Sequence, residues 1–143
     1  MAVFKFVISE GKKTYQIEKD QRDCPVIGKK IGDAIGGDFL GMAGYEFKVT
    51  GGSDKDGFPM RSDIEGVMRK KIILTKGTGF KGKIKAGKKI AKPKKGARKR
   101  KILRGNTITL DVVQINCKVM KSGEKTIEEI LGTAKKTEPE KEA

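Results

Sequence analysis

Apolar residues at every second position predict strands along much of this chain. Phe4, Phe6 and Ile8 follow that pattern and predict a strand over 3–8. After a polar turn the chain returns in a second strand over 14–18, with Tyr15 and Ile17 facing inward. The chain therefore opens with a pair of antiparallel strands.

Three further strands are predicted downstream. Tyr45, Phe47 and Val49 alternate in the first of these, which Gly51-Gly52 is expected to end. The second covers 67–75 around an aliphatic centre.

The third strand begins at Thr107, and along it the apolar residues switch from even-numbered to odd-numbered positions. Ile108 and Val112 share one parity, whereas Ile115 and Cys117 share the other. Because strand side chains have a period of two, both sets cannot lie on one face without a slip. We therefore predict a bulge or break near 111–113.

Two segments have a helical pattern. The apolar residues of 25–40 approximate a helical stripe, and several glycines weaken it, so we expect a short or broken helix there. Thr126 and Glu129 form a capping-box pattern that opens a short terminal helix, which Gly132 would end.

Short strands without regular strand-helix alternation favour a mainly β fold. We expect a small antiparallel β-barrel with one short helix, a basic arm and a short C-terminal helix. The expected barrel domain covers 1–132 and includes the basic arm at 76–105. A charged tail follows at 133–143.

Composition limits the size of the core and the class of protein. Hydrophobic and charged residues each make up 36% of the 143 residues, so the core is expected to be small. There is no apolar run of about 18 residues and no secretory signal pattern. These features predict a cytoplasmic protein with no membrane partner.

The chain has two cysteines, Cys24 and Cys117, and no histidine. Two cysteines so far apart indicate reduced thiols rather than a zinc site or a disulfide scaffold, with Cys117 packed as a small hydrophobe. Lack of histidine removes the usual general base at neutral pH. We expect no cofactor, no metal and no catalytic site.

Positive charge is concentrated in one part of the chain. Between Gly66 and Leu110 there are seventeen Lys and Arg residues and no acidic residue, within a protein of net charge +15. The charge is densest from Lys81 to Arg104, which in isolation reads as a flexible arm. Solubility and targeting are the alternative readings, but such segregated charge favours a polyanionic partner.

A nucleotide-binding loop is the first competing interpretation. Residues 77–83 fit the G-x-x-x-x-G-K pattern and follow a predicted strand. However, Ile84 replaces the Ser or Thr that holds Mg²⁺, and no clear helix follows. Chance matches are also expected where Gly and Lys dominate.

A calcium-binding loop that starts at Asp54 is the second competing interpretation. Asp56 and Glu65 occupy its third and twelfth positions, but Phe58 and Pro59 do not suit the fifth and sixth. We expect instead a turn-rich loop in which aspartate side chains cap backbone N–H groups.

The composition of the arm indicates how it would contact nucleic acid. No aromatic residue follows Phe80, so the rest of the arm cannot stack bases on rings. Lys outnumbers Arg, which favours phosphate contacts over reading of base edges. If about half of the thirteen charges met phosphates, log affinity would fall with log salt with a slope of about −5 to −6.

Residues 51–60, GGSDKDGFPM, closely resemble the signature of small-subunit ribosomal protein six of the archaeal and eukaryotic type. Residues 98–101, RKRK, with Arg104-Gly105, and 121–125, KSGEK, also resemble family segments. The mixed-charge tail lacks the serine cluster of eukaryotic members and looks like the archaeal form.

The resemblance implies a six-stranded barrel without a catalytic site, bound to small-subunit ribosomal RNA. It also implies that the signature loop and the basic segment face RNA. Gly51, Gly52 and Gly57 are expected to permit tight turns or close approach of the backbone to RNA. The expected RNA-binding residues are Lys55, Arg61, Arg69, Lys70, Lys71, Lys81, Lys83, Lys85, Lys88, Lys89, Lys92, Lys94, Lys95, Arg98, Lys99, Arg100, Lys101 and Arg104.

Together these observations predict a structural constituent of the small ribosomal subunit. Its expected partners are small-subunit ribosomal RNA and neighbouring ribosomal proteins, with no DNA. The alternative from another class is an RNA-binding translation or processing factor that exchanges on and off the ribosome.

Overall fold

The computed structural model describes residues 2–85, 87–88 and 92–135. Within this part of the chain there are nine strands and one α-helix. They are β1 (Val3–Glu10), β2 (Lys13–Asp20), β3 (Ala34–Gly36), β4 (Glu46–Asp54), β5 (Arg69–Leu74), β6 (Lys83–Ile84), β7 (Lys92–Pro93), β8 (Lys99–Arg104), β9 (Val112–Lys121) and α1 (Ile127–Lys135). None of the described helices is long and apolar enough to cross a membrane.

Five strands form the main sheet, in the order β2-β1-β9-β4-β3. Strand β1 pairs with β9 in parallel, and the other neighbours are antiparallel. The remaining strands form two separate ribbons, β5–β8 and β6–β7. The prediction of a mainly β fold is therefore confirmed.

The predicted antiparallel barrel is wrong. The main sheet is mixed and does not close, because its edge strands β2 and β3 do not pair with each other or with a ribbon within the described residues. Alternation of apolar residues determines which face of a strand is buried but not which strand lies beside it. The pattern could therefore predict the strands without predicting how they pair.

The main core lies on one face of the five-stranded sheet. The alternating residues of β1 and β4 are fully or almost fully buried there, and Tyr15 and Ile17 of β2 pack against them as predicted. Phe6 meets Phe39 edge-to-face, with ring centroids 5.5 Å apart. Ile127 of α1 is completely buried in the same core.

The terminal helix begins as the sequence predicts. The backbone N–H of Thr126 donates to the Glu129 carboxylate (3.2 Å), and the N–H of Glu129 donates to Oγ1 of Thr126 (3.4 Å). This reciprocal pair is the predicted capping box. The prediction that Gly132 ends the helix is wrong, because α1 continues through Gly132 to Lys135. The expected domain boundary at 132 therefore falls inside the helix, and 136–143 of the expected tail lie outside the described residues.

The predicted slip in the last strand is confirmed. Ser53 pairs with Gln114 and Asp54 pairs with Val112, so Val113 has no partner in β4. This bulge lets Val112 and Ile115, which have opposite parity, both reach zero exposure.

The predicted helix over 25–40 is absent from the structure. This segment contains turns, strand β3 and a short 3₁₀ helix at Asp38–Leu40. Gly28 and Gly32 have φ values of +85° and +99°, which an α-helix cannot accommodate. Here backbone freedom at glycine overrides the apolar periodicity.

Both cysteines are buried free thiols, and Cys117 packs in the main core as a small hydrophobe, as predicted. Burial raises the pKa of the Cys117 thiol to about 12. The Cys24 thiol donates to the carbonyl oxygen of Asp20 at 3.2 Å, and burial raises its pKa as well.

Strand β4 does not end at Gly51-Gly52, contrary to the sequence prediction. It continues to Asp54 through a register shift between Val49 and Gly51. At Gly52 a Cβ atom would lie 2.2 Å from the carbonyl oxygen of Gln114 on β9. Gly52 is therefore required for the close approach of two strands.

We expect Gly52→Ala to lower the free energy of unfolding by about 1–3 kcal/mol, since the new methyl group must push β4 and β9 apart. Gly51→Ala is the matched control, because a Cβ at Gly51 would meet no atom within 4 Å. Urea denaturation of both variants measures the difference. Equal losses for the two variants would contradict the role assigned to Gly52.

Candidate nucleic-acid interface

The basic arm folds over a small hydrophobic core of its own. Phe80, Ala97 and Leu103, which are widely spaced in the sequence, are buried together with Ile64 and Leu74. This second core holds the base of the arm against the β5–β8 ribbon. Within the arm, Phe80, Ala97 and Leu103 are therefore packed, whereas most of the described residues between Phe80 and Ala97 are exposed.

The β5–β8 ribbon joins two basic stretches that are far apart in the sequence. Lys70 pairs with Leu103 and Lys71 pairs with Ile102, so the cations at the start of β5 lie beside the cationic strand β8. The sequence alone shows two separate clusters. Antiparallel pairing brings them together on one two-stranded ribbon, with cations on both of its faces.

The β6–β7 ribbon carries the next group of cations. Lys83 pairs with Pro93 and Ile84 with Lys92, and the N–H of Lys94 donates to the carbonyl oxygen of Gly82 at 3.1 Å. Of the expected RNA-binding residues Lys89 lies outside the described residues, and Lys101 is half-buried. The other expected RNA-binding residues of this region that are exposed and outside the contacts of Asp54 are Lys70, Lys71, Lys81, Lys83, Lys85, Lys88, Lys92, Lys94, Lys95, Arg98, Lys99 and Arg100.

Arg104 points inward, unlike these neighbours. It is 5% exposed, and its guanidinium donates to the Asp54 carboxylate (3.3 Å), to Oγ1 of Thr109 (2.8 Å) and to the Asp111 carboxylate (3.5 Å). These contacts leave Arg104 no free path to a phosphate. Its role in the structure is to hold β8 against the main sheet.

Asp54 is the centre of this arrangement and is 3% exposed. Its Oδ1 accepts hydrogen bonds from the N–H groups of Asp56 (3.0 Å) and Phe58 (2.9 Å). Its Oδ2 accepts from Arg69 (2.8 Å) and Arg104. The first two bonds are the backbone capping that the sequence predicts for this loop.

Arg69 completes what we call the Asp54 network, which consists of Asp54, Arg69 and Arg104. The Arg69 guanidinium also pairs with Asp56 and lies over the ring of Phe58, 4.7 Å from its centroid. The signature segment thus clamps the β5–β8 ribbon to the end of β4. Sequence analysis missed this role, although a carboxylate next to a basic segment without acids of its own is a signal for it.

The environment of Asp54 favours its charged form. Burial raises the pKa of its carboxyl group, but hydrogen bonds from the Phe58 backbone, Arg69 and Arg104 outweigh burial and hold the pKa below its ordinary value. Asp54 is therefore a carboxylate over most of the pH range.

Two other expected contact residues have acidic partners at the surface. Lys55 lies 3.4 Å from the Asp111 carboxylate, and Arg61 lies 2.6 Å from Asp63. Both partners are largely exposed, so these ion pairs are easily exchanged for others. Gly57 has a φ of +84° and donates its N–H to the carbonyl oxygen of Asp54, which is the predicted tight turn.

The structure does not support a nucleotide-binding loop. Residues 77–80 form a tight turn in which Gly77 and Phe80 exchange two backbone hydrogen bonds, of 2.8 and 3.1 Å. Strand β6 follows this turn instead of a helix, so there is no helix N-terminus for a phosphate. Among the described residues, no group of three or more His, Cys, Asp or Glu side chains could hold a metal ion.

Comparison with known proteins identifies the family of this chain. The model of the family described as "Ribosomal protein S6e" matches residues 4–132. The chain belongs to the ribosomal protein S6e family. This is a family of ribosomal proteins and not of enzymes, and it is the family that the signature segment resembles.

Archaeal relatives share almost the full length of the chain. The "Small ribosomal subunit protein eS6" of Methanosphaera stadtmanae is 45% identical over 98% of this chain and 97% of its own length. The protein of the same name from Methanocaldococcus jannaschii is 45% identical over 92% of this chain and 93% of its own. These archaeal S6e relatives confirm the prediction of an archaeal form.

Proposed function

We propose that this chain is a structural protein of the small ribosomal subunit that binds ribosomal RNA through phosphate contacts. The observation that carries the RNA contact is the set of exposed cations on the two ribbons, β5–β8 and β6–β7, which have no acidic residue of their own. The ribosomal role is supported by the name and near-complete alignment of the archaeal S6e relatives.

The distribution of charge supports a partner with many phosphates. Cations without interspersed carboxylates repel one another, and a polyanion relieves that repulsion. Lysine ammonium groups act as point charges toward phosphates and do not select a base. In this proposal the shape of the folded RNA determines where the protein binds.

The main sheet has a different role in the proposal. It is a scaffold, and the Asp54 network fixes the β5–β8 ribbon to it so that the cations of this ribbon are presented in a set orientation. In the cell the protein would lie in cytoplasmic ribosomes, next to other ribosomal proteins. Among the expected RNA-binding residues that the structure describes, Arg104 is buried and Arg69 is held by Asp54, whereas most of the others are exposed and are proposed as phosphate contacts.

We expect the protein to sediment with small ribosomal subunits in a sucrose gradient at low salt and at roughly half-molar salt, where purely electrostatic contacts weaken steeply. A structural protein stays because its ribbons are enclosed by folded RNA. Detection of the chain across the gradient at both salt concentrations measures this. Release from intact subunits at high salt would contradict the proposal and favour an exchanging RNA-binding factor.

A further inference from the structure

The β5–β8 ribbon has an exposed face of mixed chemistry. Lys71 lies directly opposite Ile102, and Ile73 lies directly opposite Arg100. Since side chains alternate along a strand, these four residues share one face with Arg69 and Arg104, whose side chains bond to Asp54 at one end of the ribbon. Leu74 and Leu103 occupy the other face, in the second core. We call the four residues the ribbon face.

The two isoleucines of the ribbon face are unusually open for aliphatic side chains. Ile73 is 59% exposed and Ile102 is 38% exposed, while Lys71 and Arg100 are exposed beside them. Each isoleucine has a cation directly opposite, and the diagonal neighbours are about 7–8 Å apart. On the ribbon face, therefore, two cations and two aliphatic side chains alternate along each strand and across the pair.

This arrangement of cations and aliphatic groups suits the surface of a nucleic acid better than an apolar patch on a protein. Burying both isoleucines against an apolar partner would also strip water from Lys71 and Arg100 without providing counter-charges. The minor groove of an RNA double helix is wide and shallow, and it offers ribose surfaces between two rows of phosphates. A twisted two-stranded ribbon can follow such a groove, with aliphatic groups on ribose and cations on phosphates.

We propose that the ribbon face rests on the shallow minor groove of an RNA double helix, with Ile73 and Ile102 against ribose and Lys71 and Arg100 against the flanking phosphates. This inference rests on the proposed function, because it specifies how part of the same surface contacts RNA. In this inference the two isoleucines add an apolar, shape-dependent contribution to an RNA contact that is otherwise electrostatic. The two contributions respond differently to salt, so they can be separated.

The test is salt-dependent binding of the full chain to an RNA duplex of about two helical turns and to a DNA duplex of the same sequence. Ile73→Thr/Ile102→Thr keeps β-branched residues on the strands and is expected to weaken RNA binding roughly tenfold with an unchanged salt slope. Lys71→Gln/Arg100→Gln is expected to reduce the salt slope by about two. Met120→Thr is the matched control, since Met120 is 62% exposed on β9 of the main sheet.

The DNA duplex separates groove shape from charge. The minor groove of B-form DNA is only about 6 Å wide and lacks the wide, shallow ribose surface of RNA, so the isoleucine variant should lose less affinity for DNA than for RNA. An equal loss of affinity for both duplexes would overturn the assignment to the RNA minor groove. Unchanged circular dichroism and melting of the variant would establish that it folds.

Two other outcomes would also overturn the inference. One is that the isoleucine variant binds the RNA duplex as tightly as the parent. The other is that it binds RNA normally but is lost from small subunits, which would assign the ribbon face to a protein neighbour. Neither result contradicts the proposed function as an RNA-binding structural protein of the small subunit. That function is tested separately through the cations of the β6–β7 ribbon.

Discussion

Asp54→Asn is expected to lower the free energy of unfolding by about 3–5 kcal/mol, because it leaves the buried Arg104 with Asp111 as its counter-charge, which is 3.5 Å away and largely exposed. Asp54 is 3% exposed and bonds to Arg69, Arg104 and two backbone N–H groups at once. An amide can accept some of these hydrogen bonds but cannot neutralise the guanidinium groups. Urea denaturation at fixed ionic strength measures the loss.

Asp63→Asn is the matched control for this change. Asp63 is also paired with an arginine, but its side chain is 59% exposed, so its loss is expected to cost no more than about 1 kcal/mol. A loss at Asp54 as small as that at Asp63 would contradict the clamping role of the Asp54 network.

The same carboxylate makes stability depend on pH in acid. Because the pKa of Asp54 is held below its ordinary value, its stabilising contribution is fully present above about pH 4 and is lost as the pH falls through the lowered pKa. Asp54→Asn should therefore remove part of the decline in stability at low pH. Unfolding curves of parent and variant between neutral pH and about pH 2 provide the measurement.

Neutralising the β6–β7 ribbon is expected to have the largest effect on RNA binding. Lys83, Lys85, Lys92 and Lys94 are exposed on or beside this ribbon. Replacing all four by Gln should reduce the salt slope by about four and weaken binding to small-subunit ribosomal RNA by about 10³-fold at 0.1 M salt. Four positions are changed together because neighbouring lysines can substitute for one another.

The matched control is a variant that loses four positive charges from the main sheet and the β1–β2 turn instead of from the β6–β7 ribbon. Lys12, Lys48, Lys118 and Lys121 are all exposed there or in the β1–β2 turn. Their replacement by Gln should lower affinity much less, since they lie outside the cationic ribbons. Equal losses in the two variants would indicate attraction by net charge alone and would contradict a localised RNA contact.

Local pattern was sufficient to predict several elements because the forces that make them act over a few residues. Alternation at Phe4, Phe6 and Ile8 predicted β1, and Thr126 with Glu129 predicted the start of α1. The change of parity before Ile115 predicted the bulge at Val113. The signature segment correctly indicated the family.

Pairing and packing could not be predicted in the same way. The parallel pairing of β1 with β9 joins residues more than a hundred positions apart, and nothing in either strand specifies it. Glycines with positive φ replaced the expected helix over 25–40 with turns. Phe80, Ala97 and Leu103 are widely spaced in a mostly basic segment, and only the fold brings them into one core.

The sequence by itself determined the concentration of charge, the strands β1, β2, β4, β5 and β9, and the family, because these depend on composition and near neighbours. Only the tertiary structure decided which cations face outward. Arg104 was grouped with its exposed neighbours by sequence, yet it is buried against Asp54, fifty positions away. The reason is physical: a buried carboxylate requires counter-charges, and only the folded chain determines which arginines are near enough to provide them.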